Sequence, residues 1–341
     1  MPTTPRKKPP SLKKRSLRLA AGIALAAGAG YLTLVWWCAS EIAEPSRRLM
    51  SAAQSANLSG SAEAGFTVGK FVSEEGMPYL VCTPAASPML SEKAALIRSQ
   101  VTDMGVSLAS AGHTVGTLVI LHGRSGMKED YLPVAERYCA IGFRCLIPDL
   151  PGHGANPARF ATYGVNEGGM VLRCLREAGE NAGFAHEPCV VLGQSMGGSV
   201  AVHAAALPDS PFRAMVVVAS FDRLETVIRS QTEDLFGTAF GAAVRKPADL
   251  VVGWRTGVRI TAINPVEKAA SVAAPVMIVH GDADNSVPTR AGKELFAAFR
   301  EGNGKRWLSV PGADHNNVLV TDYPLYAEMG AWLLGHVTSG G

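Results

Sequence analysis

Ser195 lies in a glycine-rich segment that could present a nucleophile. The segment, GQSMGG at 193–198, directly follows an apolar run at 189–192 and precedes a helical pattern at 196–206. In a tight turn, the flanking glycines leave room for the neighbouring strand and helix. Because a helix begins directly after Ser195, its free N–H groups favour an oxyanion there. The pattern predicts a strained strand–turn–helix segment with a serine nucleophile; the simpler interpretation is a glycine-rich turn without chemistry.

Two acids and one histidine downstream could complete the chemistry of this serine. A serine nucleophile needs a base, and the base needs an acid that orients it. Asp282 and Asp284 follow an apolar run at 276–280, and His315 follows another at 306–310. Since these groups come after separate predicted strands, they can meet the serine at one edge of a sheet. Of the eight histidines, His315 alone has this order and context, while the acid stays open between Asp282 and Asp284.

Acyl transfer also needs two backbone N–H donors for the oxyanion. The N–H of Met196 is the first, because it begins the predicted helix. The second is expected in the loop after an apolar run at 117–121, which reads HGRSG, and we assign it to the N–H of Arg124. The simpler interpretation of His122-Gly123 is an ordinary turn.

These residues need a scaffold of strands and helices to bring them together. Continuous apolar runs, typical of buried parallel strands, alternate with helical spacing. The predicted strands are 66–72, 78–82, 117–121, 143–147, 189–192, 214–219, 276–280 and 306–310, of which the first two form a hairpin. The predicted helices are 130–141, 168–178, 196–206, 291–300 and 318–336. The alternation predicts an α/β fold, with a mostly parallel sheet and helices on both faces.

Taken together, the motifs resemble the alpha/beta-hydrolase superfamily. They are HG at 122–123, DLPGHG at 149–154, GQSMGG at 193–198, HGDADNSVP at 280–288 and DH at 314–315. They follow the family order across residues 66–337 and most resemble the monoacylglycerol-lipase and serine-aminopeptidase-like branch. The resemblance implies an eight-stranded, mostly parallel sheet with a small helical cap after the sixth strand. It also implies a nucleophile elbow at Ser195 and Asp284 as the acid of a catalytic triad with His315.

The N-terminal part of the chain differs in character from the rest. Residues 1–18 carry seven positive charges and no acid, which leaves 25 basic and 29 acidic residues elsewhere. The net charge of +3 therefore comes from a local tail. Because the rest of the chain is slightly acidic, a nucleic-acid-binding surface is not indicated. Residues 19–40 carry no charge and could cross a membrane as a signal anchor, followed by a polar stalk at 41–64. The preceding cations favour a cytoplasmic N-terminus and a catalytic domain on the non-cytoplasmic side, periplasmic in a bacterium.

The alternative for 19–40 is a signal peptide cleaved near Cys38-Ala39-Ser40, which would make the domain a secreted protein. The apolar run is longer than the hydrophobic region of most signal peptides, and this favours the anchor. The remaining chain, 65–341, is expected to form the hydrolase domain, with a helical insertion at 84–115 and the cap at 221–263.

Hydrolysis of a carboxylic ester by two-step acyl transfer is the function that these residues predict. The substrate would be a small-molecule ester or a lipid-like molecule, since apolar residues of the predicted cap could hold an acyl chain. The six cysteines lack metal-ligand spacing and are expected to be buried apolar residues, and neither a metal nor an organic cofactor is implied. A peptidase or thioesterase on the same scaffold is the first alternative. A non-catalytic binding protein is the second, and the sequence leaves the oligomeric state open.

Overall fold

The computed structural model describes residues 12–86, 89–320 and 324–338. Most of the basic tail predicted at 1–18 lies outside these described residues. Within them, the chain forms an eight-stranded sheet with helices on both faces. This architecture confirms the predicted α/β fold.

The sheet contains β1 (Phe66–Val72), β2 (Pro78–Pro84), β3 (Gly116–Leu121), β4 (Phe143–Pro148), β5 (Cys189–Gln194), β6 (Phe212–Val218), β7 (Val276–Gly281) and β8 (Lys305–Val310). Their spatial order is β1-β2-β4-β3-β5-β6-β7-β8. β2 is antiparallel to both of its neighbours, and the pairs from β4 onwards are parallel. Every residue of β3 and β7 is buried, because helices cover both faces, and this explains their continuous apolar sequences.

The helices are α1 (Leu12–Ala43), α2 (Ala52–Ser59), α3 (Glu92–Asp103), α4 (Leu132–Ala140), α5 (Glu167–Ala182), α6 (Met196–Ala205), α7 (Leu224–Phe236), α8 (Thr238–Thr256), α9 (Pro265–Ala269), α10 (Thr289–Ala298) and α11 (Leu325–Thr338). Helices α3, α4 and α11 contribute to the apolar core on one face of the sheet. Helices α5, α6 and α10 contribute to the core on the other face. The two cores fix the sheet between them, so the loops at its carboxyl edge start from rigid strands.

The two segments predicted as additions to the basic fold are helical. The segment 84–115 contains α3, whose Ile97 and Val101 are buried. The segment 221–263 contains α7 and α8, which we call the cap helices. They meet at Gly237, whose φ of 73° is easily adopted only by glycine.

Helix α1 extends beyond the predicted apolar run and ends against the domain. The described side chains before Tyr31 are exposed, whereas one side of the last three turns is buried, with Val35 3% and Ala39 0% exposed. The stretch Arg15–Ala43 is long and apolar enough to cross a membrane, a property that signal sequences near an N-terminus share. The structure therefore contains an apolar N-terminal helix whose final part belongs to the hydrophobic core.

The segment expected as a polar stalk at 41–64 instead lies on the surface of the domain. It begins with the end of α1 and includes α2, which has a capping box at Ser51. Gln54 Nε2 donates to Asp130 Oδ1 at 2.5 Å, and Arg48 forms an ion pair with the same carboxylate. A flexible connector would not have such fixed partners.

The last helix begins later than predicted. Helix α11 starts directly after Pro324, a residue suited to the first turn of a helix. Residues 321–323, within the predicted helix, lie outside the described residues. Upstream, Asp314 Oδ1 accepts the N–H groups of the second and third residues after it, at 2.8 and 2.9 Å. This turn competes with a helix and places His315 in a loop.

Candidate active site

Ser195 occupies a strained turn between β5 and α6. Its φ of 52° and ψ of −116° lie outside the regions that L-residues prefer. A Cβ on Gly193 would overlap the Gly197 carbonyl, and a Cβ on Gly197 would overlap the Leu121 carbonyl, so both positions require glycine. The N–H of Ser195 donates to the Val218 carbonyl of the next strand at 2.8 Å. The turn therefore holds Ser195 at the carboxyl edge of the sheet.

His315 lies beside Ser195, in the loop between β8 and α11. Its Nε2 is 3.0 Å from Ser195 Oγ, and its Nδ1 is 2.8 Å from Asp284 Oδ2. In the tautomer that fits both contacts, Nδ1–H donates to the carboxylate and Nε2 accepts from the hydroxyl. With this arrangement, the imidazole can take a proton from the serine. Three loops that are far apart in the sequence thus bring these side chains together.

Asp284 is held as an ionised carboxylate. It is 5% exposed, and its Oδ1 accepts the N–H groups of Ser286 at 2.9 Å and Val287 at 2.8 Å. His280 Nε2 lies 3.5 Å from the other carboxylate oxygen. Burial would raise the pKa of Asp284, but the nearby His280 ring, the hydrogen bond from His315 and the Val287 N–H outweigh burial and hold the pKa well below its usual value. The negative charge therefore faces His315 at neutral pH.

Asp282, the other candidate acid, does not contact the histidine. Its side chain is exposed, and its Oδ1 accepts the Gly312 N–H at 2.7 Å. This hydrogen bond links the loop after β7 to the turn after β8. The structure thus brings Asp284 to His315 and gives Asp282 a contact that supports the turn before His315.

The space beside Ser195 is bordered by the two residues that are predicted to donate to the oxyanion. Met196 begins α6, so its N–H has no carbonyl partner within the helix. Arg124 follows Gly123, at which an added Cβ would lie 3.5 Å from Ser195 Cβ, so this loop passes directly beside the serine. The Arg124 guanidinium contacts Glu41 of α1. Both predicted donors line the same cleft as Ser195.

His122 fixes the loop that carries Arg124. Its Nδ1–H donates to the Gly123 carbonyl at 2.8 Å, and its Nε2 accepts the Leu150 N–H at 3.0 Å. Burial lowers the pKa of His122, so the ring is neutral and has one donor and one acceptor for these contacts. His122 is therefore a positioning residue for this loop.

A buried ion pair that sequence reasoning missed supports the chain next to this loop. Asp149 is fully buried, and its Oδ2 lies 2.7 Å from Lys128 Nζ. Its two oxygens also accept the N–H groups of Lys128 and Ala155, each at 2.8 Å. A Cβ on Gly154 would overlap the Asp149 carboxyl group, which explains the final glycine of the DLPGHG motif. The one sequence feature that could have predicted this ion pair is an acid directly after a strongly apolar strand.

A cleft of about 1330 Å³ opens beside Ser195 and His315. The cap contributes an apolar wall that consists of Phe221, Leu224, Val227, Ile228, Leu235 and Phe236. Helix α1 contributes Trp37, Cys38 and Ile42. Sequence reasoning missed this contribution, because an apolar run that could span a membrane gives no sign of contact with a distant site. The cleft is large enough for an extended acyl chain.

No metal-binding group of three or more His, Cys, Asp or Glu side chains occurs among the described residues. All six cysteines are free, and five of them are buried. Burial raises the pKa of the Cys174 and Cys189 thiols, so both stay protonated at neutral pH. These cysteines pack as small apolar residues.

Residues 118–328 match the Alpha/beta hydrolase family. Because the match spans more than half of the chain, the protein belongs to this family. The eight-stranded sheet and the serine at the turn after β5 agree with that membership.

Individual relatives include lipases and esterases. A monoacylglycerol lipase from Mycolicibacterium smegmatis is 24% identical over 259 residues, which cover 65% of this chain and 89% of that protein. The structure of an esterase from Pyrococcus furiosus has a TM-score of 0.60 at 16% identity, covering 86% of this chain and 99% of that one. The structure of a bacterial membrane phospholipase A has a TM-score of 0.51 at 16% identity, covering 96% and 100%. The family and the lipase relative support a hydrolase activity, and the two solved structures support the fold.

Proposed function

We propose that the protein is a serine hydrolase that cleaves carboxylic esters, with Ser195 as the nucleophile. The observation that carries the proposal is the chain of hydrogen bonds from Ser195 through His315 to Asp284, at 3.0 and 2.8 Å. The strained backbone at Ser195 adds support, because such strain persists where the surrounding structure imposes it, commonly at active sites. Lipases and esterases among the relatives favour the same class of reaction.

In the first step, Ser195 Oγ attacks the ester carbonyl carbon while His315 Nε2 takes the hydroxyl proton. Negative charge moves onto the carbonyl oxygen, where the N–H groups of Met196 and Arg124 stabilise it. Asp284 stabilises the imidazolium by its charge and does not take the proton. The C–O bond to the alcohol then breaks, and His315 gives its proton to the leaving oxygen. The acyl group remains on Ser195.

In the second step, water releases the acyl group. His315 takes a proton from a water molecule whose oxygen attacks the acyl carbonyl carbon. The same backbone donors stabilise the second oxyanion. The bond to Ser195 Oγ breaks, and His315 returns a proton to this oxygen. The products are a carboxylic acid and an alcohol, and the enzyme regains its initial state.

The wall of the cleft supports an ester with an acyl chain as substrate. Leu224, Val227 and Ile228 of α7 form part of this wall and are buried. Burial of a hydrocarbon chain against such side chains is favourable, at roughly 0.8 kcal/mol per methylene group. The relative named as a monoacylglycerol lipase favours the same choice. Peptides and thioesters are the alternative substrates that the sequence leaves open, and they are compared directly with an ester in the test of activity.

We infer further that α1 is retained as a membrane anchor. Cleavage after Ala39 would remove Val35 and Ala39 from the hydrophobic core, where both are at most 3% exposed. The resulting gap would expose apolar side chains of the cap to water. The cations before the apolar stretch favour a cytoplasmic N-terminus and a domain on the opposite side. Intact mass spectrometry of the protein from a membrane fraction tests retention, and a mass without the first 39 or so residues would contradict it.

The proposed activity is tested by substrate hydrolysis with wild type and Ser195→Ala. We expect hydrolysis of p-nitrophenyl butyrate by the wild type and a loss of about 10³-fold or more in Ser195→Ala. The matched control is Ser99→Ala on the exposed side of α3, which should retain wild-type turnover. Equal turnover of wild type and Ser195→Ala would overturn the proposal. Faster hydrolysis of a butyryl thioester or a peptide anilide would transfer the proposal to one of the alternatives.

A further inference from the structure

The cleft beside Ser195 reaches the surface where the cap meets α1. Helix α7 lines it from Leu224 at its first residue to Phe236 at its last. Leu235 and Trp37 also line the cleft, although they are 70% and 52% exposed. By this criterion one opening of the cleft lies between the end of α7 and the last turns of α1, and the exposed lining residues Leu96 and Val320 mark a further open part.

Helices α1 and α8 run side by side in the same direction. The Tyr31 hydroxyl donates to the Ala243 carbonyl at 2.7 Å. Further along both helices, the rings of Trp36 and Trp254 lie 6.3 Å apart. Because the contacts advance together, the start of α8 lies on the side from which α1 approaches the domain. The end of α7, joined to α8 by Gly237, lies on that side too.

The contacts indicate how deep the cap lies if α1 spans a membrane. Trp37 is of the residue type that occupies the membrane–water interface. Tyr31 precedes it by six residues, which corresponds to about 9 Å along a helix. The start of α8 contacts Tyr31 and so lies at the depth to which amphipathic helices insert, about 5–10 Å into the headgroup region. The charged side chains of Asp234 and Lys246 are exposed near this end of the cap, which fits a position among lipid headgroups and not in the hydrocarbon.

The part of the cap and α1 that would contact the membrane carries exposed apolar side chains. On the cap, Leu235, Phe240 and Trp254 are 70%, 47% and 77% exposed, and on α1 Trp36 and Trp37 are 48% and 52% exposed. Exposed apolar patches of this kind mark contact with a membrane or a partner. A bilayer fits this patch because the patch continues into the exposed, charge-free part of α1.

We propose that the substrates are acyl ester lipids that enter the cleft directly from the bilayer, between the end of α7 and the last turns of α1. The acyl chain lies along Leu224, Val227 and Ile228, and the ester carbonyl lies beside Ser195. A chain that enters by this route passes through the headgroup region into an apolar cleft and does not cross the aqueous phase. This substrate class rests on the proposed ester hydrolase function.

The test compares one lipid and one water-soluble ester for the full-length protein in phosphatidylcholine vesicles that contain mono-oleoylglycerol. Oleate release measures action on the bilayer lipids, and p-nitrophenyl acetate hydrolysis measures the chemistry at Ser195. Phe240→Glu places a charge at the membrane side of the cap, at a residue outside the cleft lining. We expect oleate release to fall by about tenfold, the order expected when burial of one aromatic side chain is lost. The rate of p-nitrophenyl acetate hydrolysis should stay within about twofold of the wild-type rate, a change of under about half a kcal/mol.

Two matched variants complete the design. Phe240→Leu keeps an apolar side chain and should retain oleate release, and Leu207→Glu places the same charge after the far end of α6 and should behave as wild type. Absence of oleate release by a wild type that hydrolyses p-nitrophenyl acetate would overturn the bilayer route alone. An equal effect of Phe240→Glu on both substrates, or no effect on oleate release, would overturn it too. Failure of the wild type on the soluble ester would instead contradict the proposed function.

Discussion

Replacement of Asp284 by Asn should inactivate the protein while leaving its fold intact. Asp284 Oδ1 accepts two backbone N–H groups, at 2.9 and 2.8 Å, and these fix which side of an Asn amide takes that place. The amide oxygen would accept both N–H groups, so the NH₂ group would face His315 Nδ1. His315 Nδ1 must then accept, which places the ring proton on Nε2, opposite Ser195 Oγ. In this tautomer His315 cannot take the serine proton.

The expected loss in kcat for Asp284→Asn is on the order of 10⁴-fold, the effect of the same tautomer change in another serine hydrolase. At about 1.36 kcal/mol per factor of ten, this loss corresponds to about 5.5 kcal/mol of the barrier. Steady-state hydrolysis of p-nitrophenyl butyrate measures it, and thermal unfolding checks the fold. Asp282→Asn is the control, since the Asp282 side chain accepts only the Gly312 N–H among the hydrogen bonds described. Its kcat should stay within about tenfold of the wild-type value. A loss below about tenfold for Asp284→Asn, or a larger loss for Asp282→Asn, would show that Asp284 does not set the tautomer of His315.

Three further predictions concern the surroundings of the site. Burial lowers the pKa of His153 to about 3, so the unfolded chain binds one more proton at this residue as pH falls below about 6.5. His153 alone should therefore lower the free energy of unfolding by about 2 kcal/mol from pH 7 to pH 5. Urea titrations at several pH values measure the free energy of unfolding, and His153→Gln should reduce its slope against pH by about one proton. An unchanged slope would contradict the burial of a neutral His153 ring. Lys128→Met leaves the Asp149 carboxylate buried without its cation and should cost about 3 kcal/mol by urea unfolding, whereas a loss under about 1 kcal/mol would show that the ion pair is unimportant. Gly193→Ala should prevent folding or activity, because the added Cβ would overlap a backbone carbonyl. The control is Gly335→Ala in α11, where an added Cβ meets open space, and this variant should be at least as stable as wild type by thermal unfolding. Wild-type activity and stability of Gly193→Ala would disprove the tight turn.

The sequence was sufficient for the sheet and for the residues around Ser195 because both depend on local patterns. The run at 117–121 is apolar throughout, and β3 is buried on both faces. The glycines around Ser195 are required by backbone contacts within and beside the turn, so their spacing is visible in the sequence. The acid could not be chosen from spacing alone, because Asp282 and Asp284 are two residues apart in one loop. The distinction depends on which carboxylate reaches His315, a tertiary property.

The parts that the sequence did not predict depend on contacts between distant segments. Helix α1 has an apolar composition on every side, so no periodic pattern shows that Val35 and Ala39 face the domain. The segment 41–64 has a composition typical of a connector, yet its contacts with Asp130 hold it on the surface of the domain. The final helix starts late because the turn at Asp314 and the proline before α11 outweigh the apolar spacing.

Covalent trapping shows which residue is the nucleophile. The protein is treated with a fluorophosphonate, digested, and analysed by mass spectrometry to locate the adduct. We expect one dominant adduct on Ser195 in the wild type and its loss in His315→Ala, because His315 Nε2 lies 3.0 Å from the serine oxygen and activates it. An adduct on a different residue, or equal labelling of Ser195 in wild type and His315→Ala, would show that Ser195 is not a nucleophile activated by His315.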